Sequence, residues 1–176
     1  MCAMAALIVG VVACATAPKT VADRQALERE ASSSLQLMRQ KDPGLDQLLQ
    51  SSAGYVVFPS VGKGAFIAGG AHGRGILFQQ GSPVGYVNLS QASLGLQAGA
   101  ASFTELLVFA DQGAVERLKA GTFQLGANIT AIVLTAGASG NATFSDGVAV
   151  FTMQEGGLMA GVSVSGQQLK FEPLSG

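Results

Sequence analysis

The spacing of apolar residues is helical near the start of the chain. Between residues 24 and 39 apolar side chains recur at about every fourth position, with charged residues elsewhere around the cylinder. This pattern predicts an amphipathic helix that buries Leu27, Ala31, Leu35 and Met38. The pair Asp42 and Pro43 is typical of a helix start, with an N-cap followed by proline at the first helical position. It predicts a second, short helix that ends at Gly54 and buries Leu45, Leu48 and Leu49.

From Tyr55 onward the apolar residues form short runs that indicate β-strands. One helix interrupts them: Asp111 is a suitable N-cap for residues 112–119, and Gly121 is a suitable stop. Turns are predicted at residues 81–83, at Asn141 and at residues 145–147. The predicted strands are 55–58 (ended by Pro59), 75–79, 86–89, 106–109, 123–125, 129–135, 148–152, 158–164 and 168–171.

Glycine is abundant where strands are predicted, and it shapes the expected sheet. The chain holds 24 glycines in 176 residues, many of them within 62–99. Glycine weakens a strand unless a bulge, a sharp bend or a close backbone neighbour needs the space. The predicted fold is therefore α+β, with N-terminal helices packed on a strongly bent, mostly antiparallel glycine-rich sheet or partly closed barrel.

The first thirteen residues are typical of an export signal. They form an apolar run that is shorter than the roughly 20 residues of a membrane-spanning helix. The run ends in Val11-Val12-Ala13-Cys14, which resembles a lipobox, and this resemblance implies acylation of Cys14 after cleavage. The expected organisation is a signal peptide at 1–13, a lipidated tether at 14–24 and one domain at 25–176. A plain secretory signal and a retained anchor helix are the alternatives.

Charge and composition exclude several functional classes. The net charge is −1 and charged residues make up 12% of the chain, so no global field attracts nucleic acid. Both cysteines, Cys2 and Cys14, precede the predicted domain, so no disulfide or thiolate metal site is expected within it. His72 is the single histidine, which excludes a multi-histidine metal site. No metal or other cofactor is expected.

No enzymatic motif is present in a recognisable form. A phosphate-binding loop ending at Lys63 would need glycine where Val57 stands, and no serine has the Gly-x-Ser-x-Gly setting. We therefore expect a protein that is not an enzyme. If a catalytic site existed, it would have to bring His72 together with Glu105 or Asp111.

Lys63, His72 and Arg74 are the most suggestive polar residues. Two cations and a titratable ring occur in a segment that otherwise carries no formal charge. Cations beside backbone N–H groups bind anionic head groups, so the three residues are the candidate lipid-binding site. The alternative is that both charges only keep one end of the sheet soluble.

Several blocks resemble a known domain family. They occur in this order: Phe58-Pro59-x-Val61-x-Lys63 with Phe66, Gly69-Gly70-x-x-Gly73-x-Gly75, Ser93-x-Gly95-x-Gln97-x-Gly99, Leu107-Val108-Phe109, Gly121-x-x-x-Leu125-Gly126-Ala127 and Gly157-Leu158-x-Ala160-Gly161-x-Ser163. Together they resemble the SYLF (Ysc84-type) domain, over roughly residues 31–172. The lipoprotein-like start is similar to that of the family's bacterial branch.

The resemblance implies a module that binds membrane phospholipid. Eukaryotic members of the family bind phosphoinositide membranes and in some cases actin, whereas bacterial members are commonly exported lipoproteins. We therefore expect a non-enzymatic domain that binds lipid or anionic phospholipid on the periplasmic side of the outer membrane, anchored through acylated Cys14. The alternative is a structural or protein-interaction module of the envelope with no lipid ligand. No protein partner is identified by the sequence.

Overall fold

The computed structural model describes residues 18, 20–62, 71–91, 102–154 and 164–174. The predicted signal peptide, Cys14, Lys63 and most of the predicted strand at 158–164 lie outside these residues.

The first predicted helix is confirmed, as α1 (Val21–Lys41). It begins inside the segment predicted as tether, and the hydroxyl oxygen of Thr20 caps it by accepting the Asp23 N–H at 3.1 Å. The apolar stripe is buried as predicted, through Leu27, Ala31, Leu35 and Met38.

The second helix forms, but its predicted start at Asp42 and Pro43 is wrong. α2 (Leu45–Ser51) begins after Gly44, and Asp42 is the C-terminal cap of α1. The Asp42 carboxylate accepts the backbone N–H groups of Gly44, Gly137 and Ser139 at 3.1, 3.2 and 2.7 Å. The Asp42 carboxylate binds a loop that is distant in sequence, so the local pattern of residues could not indicate this role.

The rest of the described chain contains eight strands, one further α-helix and a short 3₁₀ helix. The predicted helix after Asp111 is confirmed as α3 (Gln112–Lys119), and Asp111 caps it by accepting the Ala114 N–H at 2.9 Å. A short 3₁₀ helix spans Ala138–Asn141. The strands are β1 (Gly54–Gly62), β2 (Ala71–Gln79), β3 (Ser82–Gln91), β4 (Ser102–Phe109), β5 (Thr122–Gln124), β6 (Ala131–Val133), β7 (Val148–Met153) and β8 (Gln168–Pro173).

The strands form one sheet curled into a half-barrel, in the order β5-β8-β3-β2-β1-β4-β7-β6. Within the described residues β6 and β7 run parallel, and the other neighbouring strands run antiparallel. The expectation of an α+β fold with a strongly bent, mostly antiparallel sheet is confirmed.

Two local features differ from the predicted strand boundaries. β1 continues through Pro59 instead of ending there, because the register shifts between Val57 and Val61 and proline is tolerated at such a bulge. The turn between β2 and β3 is formed by Gln80 and Gly81, whose φ angles of 51° and 76° suit a tight hairpin.

One glycine in β2 has a clear packing role. A Cβ atom on Gly75 would lie 2.6 Å from the Phe58 ring and 2.6 Å from the Val57 carbonyl oxygen. The absence of a side chain at Gly75 lets Phe58 pack flat against the neighbouring strand, which fits the expectation that strand glycines make room for neighbours.

The sheet has an apolar core on each face. On one face, α1 and α2 pack against residues that include Tyr55, Ile76 and Phe151. On the other face, α3 packs against residues that include Phe58, Leu107 and Phe109. Side chains alternate between the two faces along a strand. Whether a residue has an odd or even position in its strand (its parity) therefore determines which core its side chain joins. No helix among the described residues is both long and apolar enough to cross a membrane.

Candidate functional site

A concavity lies between α1 and the sheet. It is a groove of about 760 Å³, within the range typical of small-molecule sites. Its floor is formed by one end of β2, β3 and β8 with the bulged part of β1, and its wall by the first half of α1. The lining residues are Pro18, Asp23, Ala26, Leu27, Glu30, Pro59, Ser60, His72, Gly73, Arg74, Asn88, Leu89, Ser90, Gln168, Leu169 and Lys170.

Two of the three predicted lipid-binding residues, His72 and Arg74, lie in this groove. Both are exposed on β2 and share the sheet face that carries α1, because they have the same parity as buried Ile76. The third predicted residue, Lys63, lies outside the described residues, as does the predicted lipidation site Cys14.

The register arranges polar side chains in two rows across the floor. One row joins His72 to Ser90 and Ser90 to Gln168. The next row joins Arg74 to Asn88 and Asn88 to Lys170, so a second cation stands beside the predicted one. Neighbouring strands lie about 4.8 Å apart, which places the Cα atoms of Arg74 and Lys170 about 10 Å from each other. Side chains as long as theirs can both reach a phosphate-sized group placed between them.

Lys170 was not singled out by the sequence, although a signal for it existed. It lies between Leu169, which is fully buried, and Phe171, in a run predicted as a strand. Alternation therefore indicates that Lys170 faces away from the core that holds Leu169. Its place beside Arg74 depends on β8 pairing with β3, which only the tertiary structure shows.

Asn88 lies between the two cations. Its side-chain amide nitrogen is buried and has no hydrogen-bond partner among the described residues. A buried amide donor without a partner costs free energy of about 1–3 kcal/mol, so a ligand oxygen at this point would be stabilised. The amide thus adds a neutral donor between Arg74 and Lys170.

The helix wall carries the opposite charge. Asp23, Ala26, Leu27 and Glu30 are spaced i, i+3, i+4 and i+7, which places them on one face of α1. Asp23 and Glu30 are exposed and about 10 Å apart along the helix axis. The sequence suggested an uncharged surface around two cations. The groove differs from this expectation, because α1 places two carboxylates on the wall opposite the floor.

The catalytic arrangement considered for the sequence is not assembled in the described structure. His72 is exposed on the α1 side of the sheet, whereas Glu105 is fully buried in the core on the opposite side. Asp111 is the N-cap of α3. Among the described residues no three His, Cys, Asp or Glu side chains are grouped as metal ligands.

Glu105 is the most perturbed acid in the described structure. Complete burial raises its pKa from 4.5 to about 7, and the hydrogen bond from the Gln167 amide to its carboxylate, at 3.0 Å, opposes this only partly. Its cross-strand neighbour is Thr152, which is also fully buried. One oxygen of each of these three side chains (Glu105 Oε1, Thr152 Oγ1 and Gln167 Oε1) has no hydrogen-bond partner among the described residues.

Part of the chain matches the model of a known family. The family model described as Ysc84, Las17-binding protein actin regulator, matches residues 90–173, which include β8 with Lys170. The first two of the sequence blocks quoted above, at 58–66 and 69–75, precede the matched range. No curated protein matches the chain.

Proposed function

Because the chain carries a Ysc84-type (SYLF) domain match over residues 90–173, we propose that it is a non-enzymatic phospholipid-binding module. In this proposal the groove binds the phosphate of a lipid head group, and the module belongs to an envelope lipoprotein tethered through Cys14 on the periplasmic side of the outer membrane. The observation that carries the proposal is the row Arg74, Asn88 and Lys170 on the groove floor.

The chemistry of the row suits a phosphate group. Charge-assisted hydrogen bonds from guanidinium and ammonium groups to phosphate are among the strongest polar contacts in proteins. Neither Arg74 nor Lys170 forms an ion pair with another described residue, so both are available for a ligand. His72 lies two positions along β2 from Arg74 and extends the polar floor.

The lining of the groove combines polar and apolar residues. Arg74, Asn88 and Lys170 supply a polar row on the floor, and apolar lining comes from Pro18, Ala26, Leu27, Pro59, Leu89 and Leu169. The proposal places the phosphate on the polar row and leaves the acyl chains in the bilayer.

A structural or protein-interaction module is the second candidate, supported by the protein-binding description of the matched family. The described surface supports it less. Its four exposed large apolar side chains lie at the two ends of α1, on β6 and after the 3₁₀ helix, as Val21, Leu37, Val133 and Phe144. Single exposed apolar residues are normal on protein surfaces.

The test compares two double variants in the full chain with Cys14→Ser, which removes the predicted acylation site. Arg74→Ala with Lys170→Ala should weaken co-sedimentation with vesicles of mixed phosphatidylethanolamine and phosphatidylglycerol about tenfold. Arg29→Ala with Lys41→Ala removes the same charge from exposed positions outside the groove and should change binding little. Equal binding by both variants, with unchanged circular dichroism, would refute the proposal.

A further inference from the structure

We propose that the groove selects a zwitterionic head group in which a primary ammonium accompanies the phosphate. The phosphate lies on Arg74 and Lys170 on the sheet floor, and the ammonium lies on Asp23 and Glu30 on the α1 wall. This inference rests on the proposed function and goes beyond it by naming the ligand class, phosphoethanolamine lipid.

Positive and negative charges are separated within the groove. Two cations lie on the floor and two carboxylates on the wall, so the formal charges of the four side chains cancel. None of the four forms an ion pair within the described structure. A ligand with one charge would satisfy one side and leave the other unpaired, whereas a ligand with both charges satisfies the two sides together.

Glu30 faces the groove with its charge unpaired. Asp23 lies in the first turn of α1, where a carboxylate is favoured by the helix dipole. Glu30 lies in the middle of the helix, where the dipole offers no such benefit, and it is exposed at the groove without a paired cation. A cationic group of a ligand in the groove would give this carboxylate a partner.

Charged residues of α1 next to the groove already have other contacts. Arg24 donates its Nε–H to the Pro18 carbonyl oxygen at 3.3 Å, and its guanidinium lies 5.9 Å from the centre of the Tyr86 ring. It therefore does not neutralise the acidic wall. Glu28, whose charge helps to raise the pKa of Tyr86 after burial, does not line the groove.

Hydrogen bonding distinguishes the ammonium from its methylated relatives. A primary ammonium has three N–H donors and can donate to a carboxylate of the wall, whereas the quaternary ammonium of phosphocholine has none. A phosphoglycerol head group offers no cation to the wall and leaves its two carboxylates facing an anion. The expected order of affinity is therefore phosphoethanolamine above phosphocholine, with phosphoglycerol weakest.

The experiment measures binding of the full-length Cys14→Ser chain to phosphatidylcholine vesicles doped with either phosphatidylethanolamine or phosphatidylglycerol. The original groove should prefer the ethanolamine lipid about fivefold, as two partly exposed charge contacts allow. Asp23→Asn with Glu30→Gln should reduce that ratio to about one. Asp46→Asn with Glu116→Gln neutralises two exposed acids outside the groove and should leave the ratio unchanged.

The outcomes separate this inference from the proposed function. Two outcomes overturn the inference alone. In the first, binding depends on Arg74 and Lys170 but shows no preference for the ethanolamine lipid. In the second, the preference survives Asp23→Asn with Glu30→Gln. Absence of binding to either vesicle, or binding indifferent to Arg74 and Lys170, overturns both. If soluble phosphoethanolamine binds and the doped vesicles do not, the ligand is a free phosphomonoester. This outcome also overturns the inference.

Discussion

At the scale of single residues, Glu105 shows how strongly burial changes the chemistry of a side chain. Its strand places it at the same parity as Phe103, Leu107 and Phe109, so it points into an apolar core. A pKa of about 7 makes the carboxyl group largely protonated below neutral pH. The proton supplies a donor in a cluster where three buried oxygens have no hydrogen-bond partner among the described residues.

The stability of the fold should therefore fall as pH rises through the range set by Glu105. The folded pKa lies above the unfolded value, so the folded state holds the proton between about pH 4.5 and 7 while the unfolded state releases it. Over this window the Glu105 contribution to the free energy of unfolding should decrease by roughly 3 kcal/mol.

Glu105→Gln should remove that pH dependence, because the amide is neutral throughout and retains both an acceptor and a donor. Urea unfolding at pH 5 and pH 8 gives the measurement, and the variant should be the more stable protein at pH 8. Glu172→Gln, at a partly exposed position on the same sheet, serves as the control that replaces an acid with a neutral amide. A variant with the same slope against pH as the original chain would show that Glu105 is ionised in the fold.

At the scale of elements, Asp42 connects three pieces of chain. It caps the end of α1, accepts the Gly44 N–H just before α2, and accepts two N–H groups from the loop and 3₁₀ helix at 137–139. The side chain is 1% exposed, so burial raises its pKa, but these backbone donors outweigh the burial and lower the pKa below its ordinary value.

Asp42→Asn should destabilise the fold by about 1–3 kcal/mol, since an amide NH₂ would face backbone donors that now meet a carboxylate. The Asp42 contribution is present above the unfolded pKa and is lost as pH falls through the lowered folded value. The decrease in the free energy of unfolding caused by Asp42→Asn should therefore be complete at pH 7 and smaller below pH 4, as measured by urea titration. Exposed Asp46→Asn, in α2, should cost less than 1 kcal/mol at pH 7.

At the scale of the whole molecule, one curved sheet separates two cores and supports the groove at one end. The groove is built from α1 and from strands that are distant in sequence, so it exists only when the sheet is assembled. In the proposed function, acylation of Cys14 keeps this groove close to a bilayer. Recognition by the groove then needs only modest affinity, because the tether raises the local concentration of lipid.

The tether gives a test at this scale. In a Gram-negative host, the full chain should incorporate a palmitate analogue and fractionate with outer membranes, and Cys14→Ser should lose both properties. Cys2→Ser is the matched thiol control and should retain them. Equal labelling of the Cys14→Ser chain would contradict acylation at Cys14 while leaving the groove chemistry untouched.

Local pattern alone determined much of the fold. The fourfold spacing of α1, the Asp111 cap of α3 and the alternation of the strands are short-range features, so they were predictable from neighbouring residues. His72 and Arg74 precede the strand predicted at 75–79, so their shared face became clear only from the observed extent of β2. Asp42 shows the limit, because a loop almost a hundred residues away competes for its carboxylate.

Only the tertiary structure decided which charges meet. Strand order places β8 beside β3, and thereby Lys170 near Arg74, while the packing of α1 on the sheet brings Asp23 and Glu30 opposite them. Burial of Glu105 likewise depends on α3 and distant strands covering that face of the sheet. The physical reason is that side-chain alternation is a property of one strand, whereas pairing and packing reflect the free energy of contacts across the whole chain.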